Sequence, residues 1–222
     1  MMNSILVVIP AYNEADHIGQ VVTASRRYLP VLVVDDGSTD DTAGLAEKAG
    51  AMVLRQVRNQ GKGAALRLGF FRAINLGYAA VITLDADGQH DPQEIPQFMQ
   101  AFADKTADLI IGRRSFNQMP LSRRVANTVG GWLFTWALGR TIPDNQSGYR
   151  LLSRRLMQML LNSQERGFEF EVEMIAICLK NSYCLDWVPV RTIYAGETSH
   201  IHPLHHILNF MRITWTAKKM MS

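Results

Sequence analysis

The sequence predicts an α/β protein built on a mainly parallel, twisted sheet with helices on its faces. Two observations carry that expectation. Short β-branched runs alternate with longer segments of helical character through the first half of the chain, the order expected of parallel strands joined by helical crossovers. Carboxylate-rich polar clusters follow three of those apolar runs at equivalent positions. In open α/β sheets, ligands bind beyond the carboxyl ends of strands.

The runs Ile5–Ile9, Val31–Asp35, Ala51–Leu54, Ala80–Leu84 and Leu109–Gly112 are too short for helices and too continuous for one-sided sheets. They read as buried strands. Helices are expected over 14–29, 41–49, 62–77 and 92–104, with Thr39-Asp40-Asp41 and Asp91-Pro92 as starts, because these residues cap or open a first turn. After residue 112 the pattern loosens into Arg-rich turns, an apolar helix near 125–138, helices near 153–162 and 169–181, and a strand over Leu185–Val190. No Pro/Gly/Ser linker separates the two halves, so residues 1–202 are expected to form one domain, followed by an amphipathic helix over 203–222.

Composition excludes several classes. Of 222 residues, 47% are hydrophobic and 19% charged, a balance that suits a folded core and not a disordered chain. Cys178 and Cys184 are the only cysteines, which rules out a disulfide framework or a four-cysteine zinc site. The first apolar run ends at Pro10 and is followed by Asn13, Glu14 and Asp16, unlike a signal peptide. The longest uncharged candidate span, Val125–Gly139, has 15 residues, short of the roughly 20 a membrane helix needs. A cytoplasmic protein that touches a membrane without crossing it is expected. The net charge of +3 hides an asymmetry: residues 1–111 carry 9 Lys+Arg against 13 Asp+Glu, and residues 112–222 carry 14 against 7. Two kinds of ligand on one body would account for such a split.

Asp85-Ala86-Asp87 is the sharpest motif. Alternate residues of an extended segment point the same way, so the two carboxylates can share a hard cation such as Mg2+ or Mn2+, with Gln89 as a further oxygen donor. A capped turn is the plainer reading of the same residues, with His90 as a loop residue. Asp35-Asp36-Gly37-Ser38 also suits a tight turn, but two adjacent carboxylates at a strand end can accept from a ribose or a base N–H. No G-x-G-x-x-G follows the first apolar run, where Pro10-Ala11-Tyr12-Asn13-Glu14 stands instead, so a Rossmann dehydrogenase is not expected. Asn59-Gln60-Gly61-Lys62-Gly63 opens a helix whose free N–H groups and Lys62 favour an anion. It is not a Walker A loop, which needs Gly at Gln56 and Ser or Thr at Gly63. A flexible helix start explains it equally well.

The basic half offers Arg113-Arg114, Arg123-Arg124 and Asp144-Asn145-Gln146-Ser147-Gly148-Tyr149-Arg150, whose arginine forks match phosphate oxygens. Arg154 and Arg155 are read as solvated arginines at a helix start. Two segments could meet a membrane. One is Val125–Leu138 with Trp132, Phe134 and Trp136; the other carries Leu204, Ile207, Leu208, Met211 and Trp215 at helical spacing beside Arg212, Lys218 and Lys219. A core-facing amphipathic helix gives the same pattern. The cluster His200, His202, His205 and His206 is read as a solvated tract rather than a metal site.

Together these motifs resemble the inverting glycosyltransferases of family 2, in the dolichyl-phosphate mannosyltransferase-like, polyprenyl-phosphate glycosyltransferase branch. The resemblance rests on Val8-Ile9-Pro10-Ala11-Tyr12-Asn13-Glu14, Val34-Asp35-Asp36-Gly37-Ser38-Thr39-Asp40, Leu84-Asp85-Ala86-Asp87-Gly88-Gln89-His90, Gly112-Arg113-Arg114, Ser147-Gly148-Tyr149-Arg150 and Gly167-Phe168-Glu169-Phe170 with Glu173-Met174. It implies the GT-A fold, with 1–112 as the nucleotide and metal half and 113–202 as the acceptor half. It implies that Pro10, Tyr12, Asn13, Glu14, Val34 and Asp36 hold the nucleotide, with Lys62, Asp85, Ala86, Asp87 and His200 completing the donor site. Asp85, Asp87 and Gln89 would bind Mg2+ or Mn2+ on the diphosphate. Arg114, Ser147 and Arg150 would cradle the acceptor phosphate. His200, in Gly196-Glu197-Thr198-Ser199-His200, replaces a lysine that the branch uses on the donor phosphates, and Arg191 stands near a missing family arginine.

The activity so implied is transfer of a mannose- or glucose-type sugar from a GDP- or UDP-sugar to a polyprenyl phosphate at the cytosolic face of a membrane. The amphipathic segments or a membrane-protein partner would supply the anchor, and no nucleic acid is expected as a partner. A phosphate monoester with a second pKa of about 6 is already nucleophilic at neutral pH, so no strong base is needed. A hydroxyl acceptor, as in polysaccharide synthesis, would need one, with Asp144 as the candidate. A non-catalytic nucleotide- or lipid-binding scaffold is the alternative outside enzymology.

Overall fold

The structure is a computed structural model. It describes residues 4–105, 107–114, 131, 134–167 and 169–191, and near the C-terminus 212, 214–216, 218 and 219. Among these, seven strands form one sheet: β1 (Ile5–Ala11), β2 (Val31–Asp35), β3 (Met52–Arg55), β4 (Ala80–Thr83), β5 (Leu109–Arg114), β6 (Arg150–Ser153) and β7 (Leu185–Val190), in the order β3-β2-β1-β4-β6-β5-β7. The helices are α1 (Ile18–Ser25), α2 (Thr42–Lys48), α3 (Lys62–Asn75), α4 (Ile95–Lys105), α5 (Arg154–Leu160) and α6 (Glu169–Lys180), with a short 3-10 turn over Pro92–Glu94 before α4.

Alternation along the central strands divides the core into two layers. Leu6, Val8, Leu32, Val34, Val81 and Leu152 face α3, α5 and α6, through Leu66, Phe70, Leu156 and Phe170. Val7, Ile9, Val31, Val33, Ile82 and Leu151 face α1 and α4, through Ile18, Val22, Ile95 and Phe98. Strands covered on both faces must be apolar throughout, which is why the runs are continuous. Each fully buried Val, Leu, Ile or Phe contributes about 1.5–3 kcal/mol.

Three details differ from the sequence expectation. β3 is an edge strand with no buried residue; only its β2 side is paired. Arg154 and Arg155 are not plain solvated arginines. Arg154 donates to the Ile74 carbonyl in the last turn of α3 and to the Tyr78 carbonyl just beyond it, a favourable place for a cation, and the exposed Arg155 forks onto Asp108 while lying over the Tyr183 ring. The third difference, β6, was not expected at all. It pairs antiparallel with both β4 and β5, and it shapes the site.

Of the expected helix near 125–138, only its last part is described. Residues 134–138 are helical, with Phe134, Ala137 and Leu138 buried and Trp136 exposed. The expected Arg123-Arg124 pair, the His200 to His206 cluster and the segment from Leu204 to Met211 lie outside the described residues. Beyond them, the described C-terminal residues are helical. Arg212 pairs with Glu165 at 2.7 Å, and Lys218 lies 3.4 Å above the Trp136 ring.

Candidate active site

Strand register brings the polar clusters to one end of the sheet. In the parallel pair β1–β2, Ala11 is opposite Asp35; in β1–β4, Val8 is opposite Thr83. Tyr12-Asn13-Glu14, Asp36 and Asp85 therefore all emerge from carboxyl ends. The chain runs from β1 outward to β2 and β3, then returns through α3 to β4 on the other side of β1; the crevice between β1 and β4 is therefore the switch point where open α/β sheets hold ligands. Antiparallel β6 adds a second contribution. Thr83 is opposite Arg150, so the residues just before Arg150 lie beside those just after Thr83. Ile111 is also opposite Arg150, so Arg114 reaches the same end.

The nucleotide side is tightly laced. Asp36 is buried and its carboxylate accepts from the Gln60 and Gly61 amides and from Gln56 Nε2, each at 2.8 Å. Burial raises its pKa, and the Gln60 and Gly61 amides oppose that rise. The anion expected at the Gly61-Lys62 helix start is thus the protein's own Asp36, and Gly63 N–H is taken by the Arg166 carbonyl. Asn13 holds the left-handed conformation at φ 56°, which asparagine tolerates. It accepts from Thr39 N–H, while its own N–H donates to Ser38 Oγ. Glu14 N–H donates to Thr42 Oγ1. Tyr12 is 45% exposed at the rim. Pro10 is buried, and the Val34 and Ala86 side chains belong to the core, not to the ligand surface.

Asp85 is the centre of charge. Lys62 Nζ lies 2.5 Å from Asp85 Oδ1 and 3.0 Å from Glu171 Oε1. Burial alone would raise the Asp85 pKa, but Lys62 and, less strongly, His90 and Arg114 bring it down to about 2. Burial pushes His90 down to about 4, so its imidazole is neutral near pH 7 and its Nδ1 accepts the Asp85 N–H at 3.1 Å. His90 is thus a buried support for the motif, packed 5.1 Å from the Tyr149 ring. Gly148 lies directly against the Asp85 carboxylate, where a Cβ would stand 2.7 Å from Oδ2. Asp87 accepts from the Gln89 N–H at 2.9 Å.

Arg114 and Asp144 form a two-pronged pair, Nε–Oδ2 2.8 Å and Nη2–Oδ1 3.0 Å. The Gln146 N–H also donates to Asp144, whose side chain is 1% exposed. Arg150 takes a different place from the expected one. It is fully buried and donates to the Ser147 carbonyl at 2.7 Å, the Asn145 carbonyl at 3.1 Å and the Glu171 carbonyl. It shapes the 144–148 loop from behind and presents no surface to an acceptor. Ser147 Oγ and Asn145 Nδ2 in that loop are buried polar atoms without a hydrogen-bond partner among the described residues. His200 lies outside the described residues.

Sequence reasoning missed Glu171 and Gly148. Glu171 is one of three carboxylates on an amphipathic helix, indistinguishable by pattern from Glu169 and Glu173. Gly148 belongs to a motif visible in the sequence, but its place against Asp85 follows only from the pairing of β6.

This arrangement corresponds to a known family. Residues 6–161 match the model of glycosyl transferase family 2. The chain belongs to that family and is a glycosyltransferase. It is 31% identical over 217 residues to the UDP-N-acetylglucosamine--dolichyl-phosphate N-acetylglucosaminyltransferase of Methanococcus voltae, covering 86% of each chain. It is 30% identical over 201 residues to the polyprenol monophosphomannose synthase of Mycolicibacterium smegmatis, covering 83% of this chain and 76% of the relative. The fold is GT-A. It superimposes with a TM-score of 0.74 on glucosyl-3-phosphoglycerate synthase of Mycobacterium tuberculosis, crystallised with Mn2+, UDP-glucose and phosphoglyceric acid, at 20% identity over 98% of this chain and 80% of that one.

Proposed function

We propose that this glycosyltransferase moves a sugar from a UDP- or GDP-sugar to a polyprenyl phosphate, with inversion and with a divalent cation. The observation that carries the acceptor assignment is Asp144. Both of its oxygens are engaged by Arg114, and its side chain is closed to solvent. A general base must reach the proton it removes, and a carboxylate clamped in this way is poorly placed to do so. A polyprenyl phosphate requires no base; by their names, one relative described above transfers to dolichyl phosphate and the other makes polyprenol monophosphomannose.

The residues at the strand ends suit Mg2+ or Mn2+. Among the described residues no group of three or more His, Cys, Asp or Glu could enclose a metal. Asp85 and Asp87 are two oxygen donors in the turn that follows β4, with Gln89 two residues further on, and Mg2+ is commonly held by one or two carboxylates plus substrate phosphates. When bound, such a cation stabilises charge on a departing diphosphate. Tyr12, Asn13, Glu14 and Asp36 would line or support the nucleotide pocket. Arg114 would meet the acceptor phosphate, while Arg150 and the equally buried Ser147 would shape the 144–148 loop beside it. His200 is retained as a donor-side residue.

Membrane contact at the cytosolic face is part of the proposal. No helix among the described residues is long and apolar enough to cross a membrane. Trp136 and Trp215 are 54% and 57% exposed, with Lys218 over Trp136. Exposed tryptophan beside lysine suits an interface with anionic lipid, which fits an amphipathic helix over 203–222 and leaves room for a membrane-protein partner.

Asp144→Asn tests the acceptor assignment. With a phosphate acceptor, turnover should stay within about tenfold and the change should appear chiefly in the acceptor KM, through a loosened Arg114. Loss of about 10²–10⁴-fold in kcat with unchanged KM is the signature of a removed general base and would favour a hydroxyl acceptor.

A further inference from the structure

The Lys62 ammonium sits between two carboxylates of unequal depth. Glu171, on α6, is 5% exposed; Lys62 is 17% exposed; Asp85 is 28% exposed. A cation arriving from solvent therefore meets Asp85 first, while Glu171 lies on the protein side of the ammonium. The base of Lys62 is fixed. Asp36 grips the two amides before it, Gly61 takes φ 95°, and the Gly63 N–H is tied to the Arg166 carbonyl. Asp85 is equally confined, by His90 Nδ1 at its amide and by Gly148 against its carboxylate. Glu171 is steadied by Arg150, which donates to its carbonyl.

We propose that Lys62 is a built-in counter-cation for Asp85, and that Glu171 is the positioning residue that takes Lys62 over when a divalent cation binds at Asp85. The inference rests on the reading of Asp85 as a metal ligand. A divalent cation and an ammonium cannot share one carboxylate cheaply in a partly buried site. With Glu171 already 3.0 Å from Nζ, the ammonium keeps a partner after leaving Asp85, and no charge is left buried alone. The device keeps the Asp85 carboxylate oriented before the donor arrives. It also makes Lys62 a competitor of the metal, so the two variants should shift metal affinity in opposite directions.

The test is direct Mn2+ binding to the full chain without donor, followed by the free-ion electron paramagnetic resonance signal. Wild type, Lys62→Gln, Glu171→Gln and Asp85→Asn are compared, each checked for fold by circular dichroism. Lys62→Gln should bind Mn2+ about tenfold more tightly, because a competing cation is gone, and Glu171→Gln several-fold more weakly. An unchanged or weaker affinity in Lys62→Gln, with Asp85→Asn still abolishing binding, would overturn the counter-cation role alone. Mn2+ binding that survives in Asp85→Asn would instead remove the metal assignment on which it rests.

Discussion

Asp108 shows how single residues hold this fold together. Its carboxylate accepts from Ser153 Oγ at 2.8 Å and from Cys184 N–H at 3.0 Å, and it pairs with Arg155. It thus ties the starts of β5 and β7 to the junction of β6 with α5. Burial alone would raise its pKa, but the bonds from Arg155, Ser153 and Cys184 leave it lowered from 3.8. A carboxyl group with a lowered folded-state pKa adds stability above the unfolded value and loses it as pH falls below that value. Asp108→Asn should therefore lower the melting temperature at neutral pH, and the gap from wild type should narrow below about pH 4. Thermal unfolding from pH 7 to pH 3 measures this; a gap independent of pH would contradict it. Nothing in the sequence marked Asp108, because the partners lie 45 and 76 residues away. The carboxylates after β1, β2 and β4 were legible because their positions repeat with the strands.

At the level of elements, the parallel half was readable and the antiparallel insertion was not. Continuous runs such as Leu6-Val7-Val8-Ile9 can only be strands covered on both faces. Arg150-Leu151-Leu152-Ser153 is four residues long, begins with a charge and merges into α5; its strand state comes from two partners, not from its own propensity. The missed strand is the one that delivers Gly148 to Asp85 and aligns Arg114 with Asp144. A second feature invisible in the sequence is the close approach of α3 to α6. A Cβ on Gly63 would stand 2.8 Å from Phe170 Cβ and 2.9 Å from the Glu165 carbonyl. Neither neighbour is a flexible tip, so Gly63→Ala should destabilise the protein by about 1–3 kcal/mol, read as a lower urea midpoint. An unchanged midpoint would mean that the two helices can separate without cost.

For the whole molecule, the opposite charges of the two halves acquire a structural reading. The acidic clusters of the first half gather at the strand ends, where Asp36 is hydrogen-bonded by amides and Asp85 is paired with Lys62. Of the arginines in the second half, Arg150 is buried, Arg154 bonds inward to backbone carbonyls, and the exposed Arg155 is paired with Asp108, so fewer of them are unpaired at the surface than the sequence implies. Arg114 stands at the mouth of the site with its fork on Asp144. Lys218 and the exposed tryptophans lie on the C-terminal helical residues and the 134–138 segment that the sequence marked as amphipathic.

Transfer of a sugar from a nucleotide donor to a lipid phosphate should depend on Asp85 and Asp87. Incubation with labelled UDP- and GDP-sugars, Mn2+ and a short polyprenyl phosphate, followed by mass analysis of the organic phase, tests it most directly. A glycosyl polyprenyl phosphate should form with wild type, and should be lost on chelation and in Asp87→Ala. Donor hydrolysis without a lipid product, transfer only to hydroxyl acceptors, or full turnover by Asp87→Ala would contradict it.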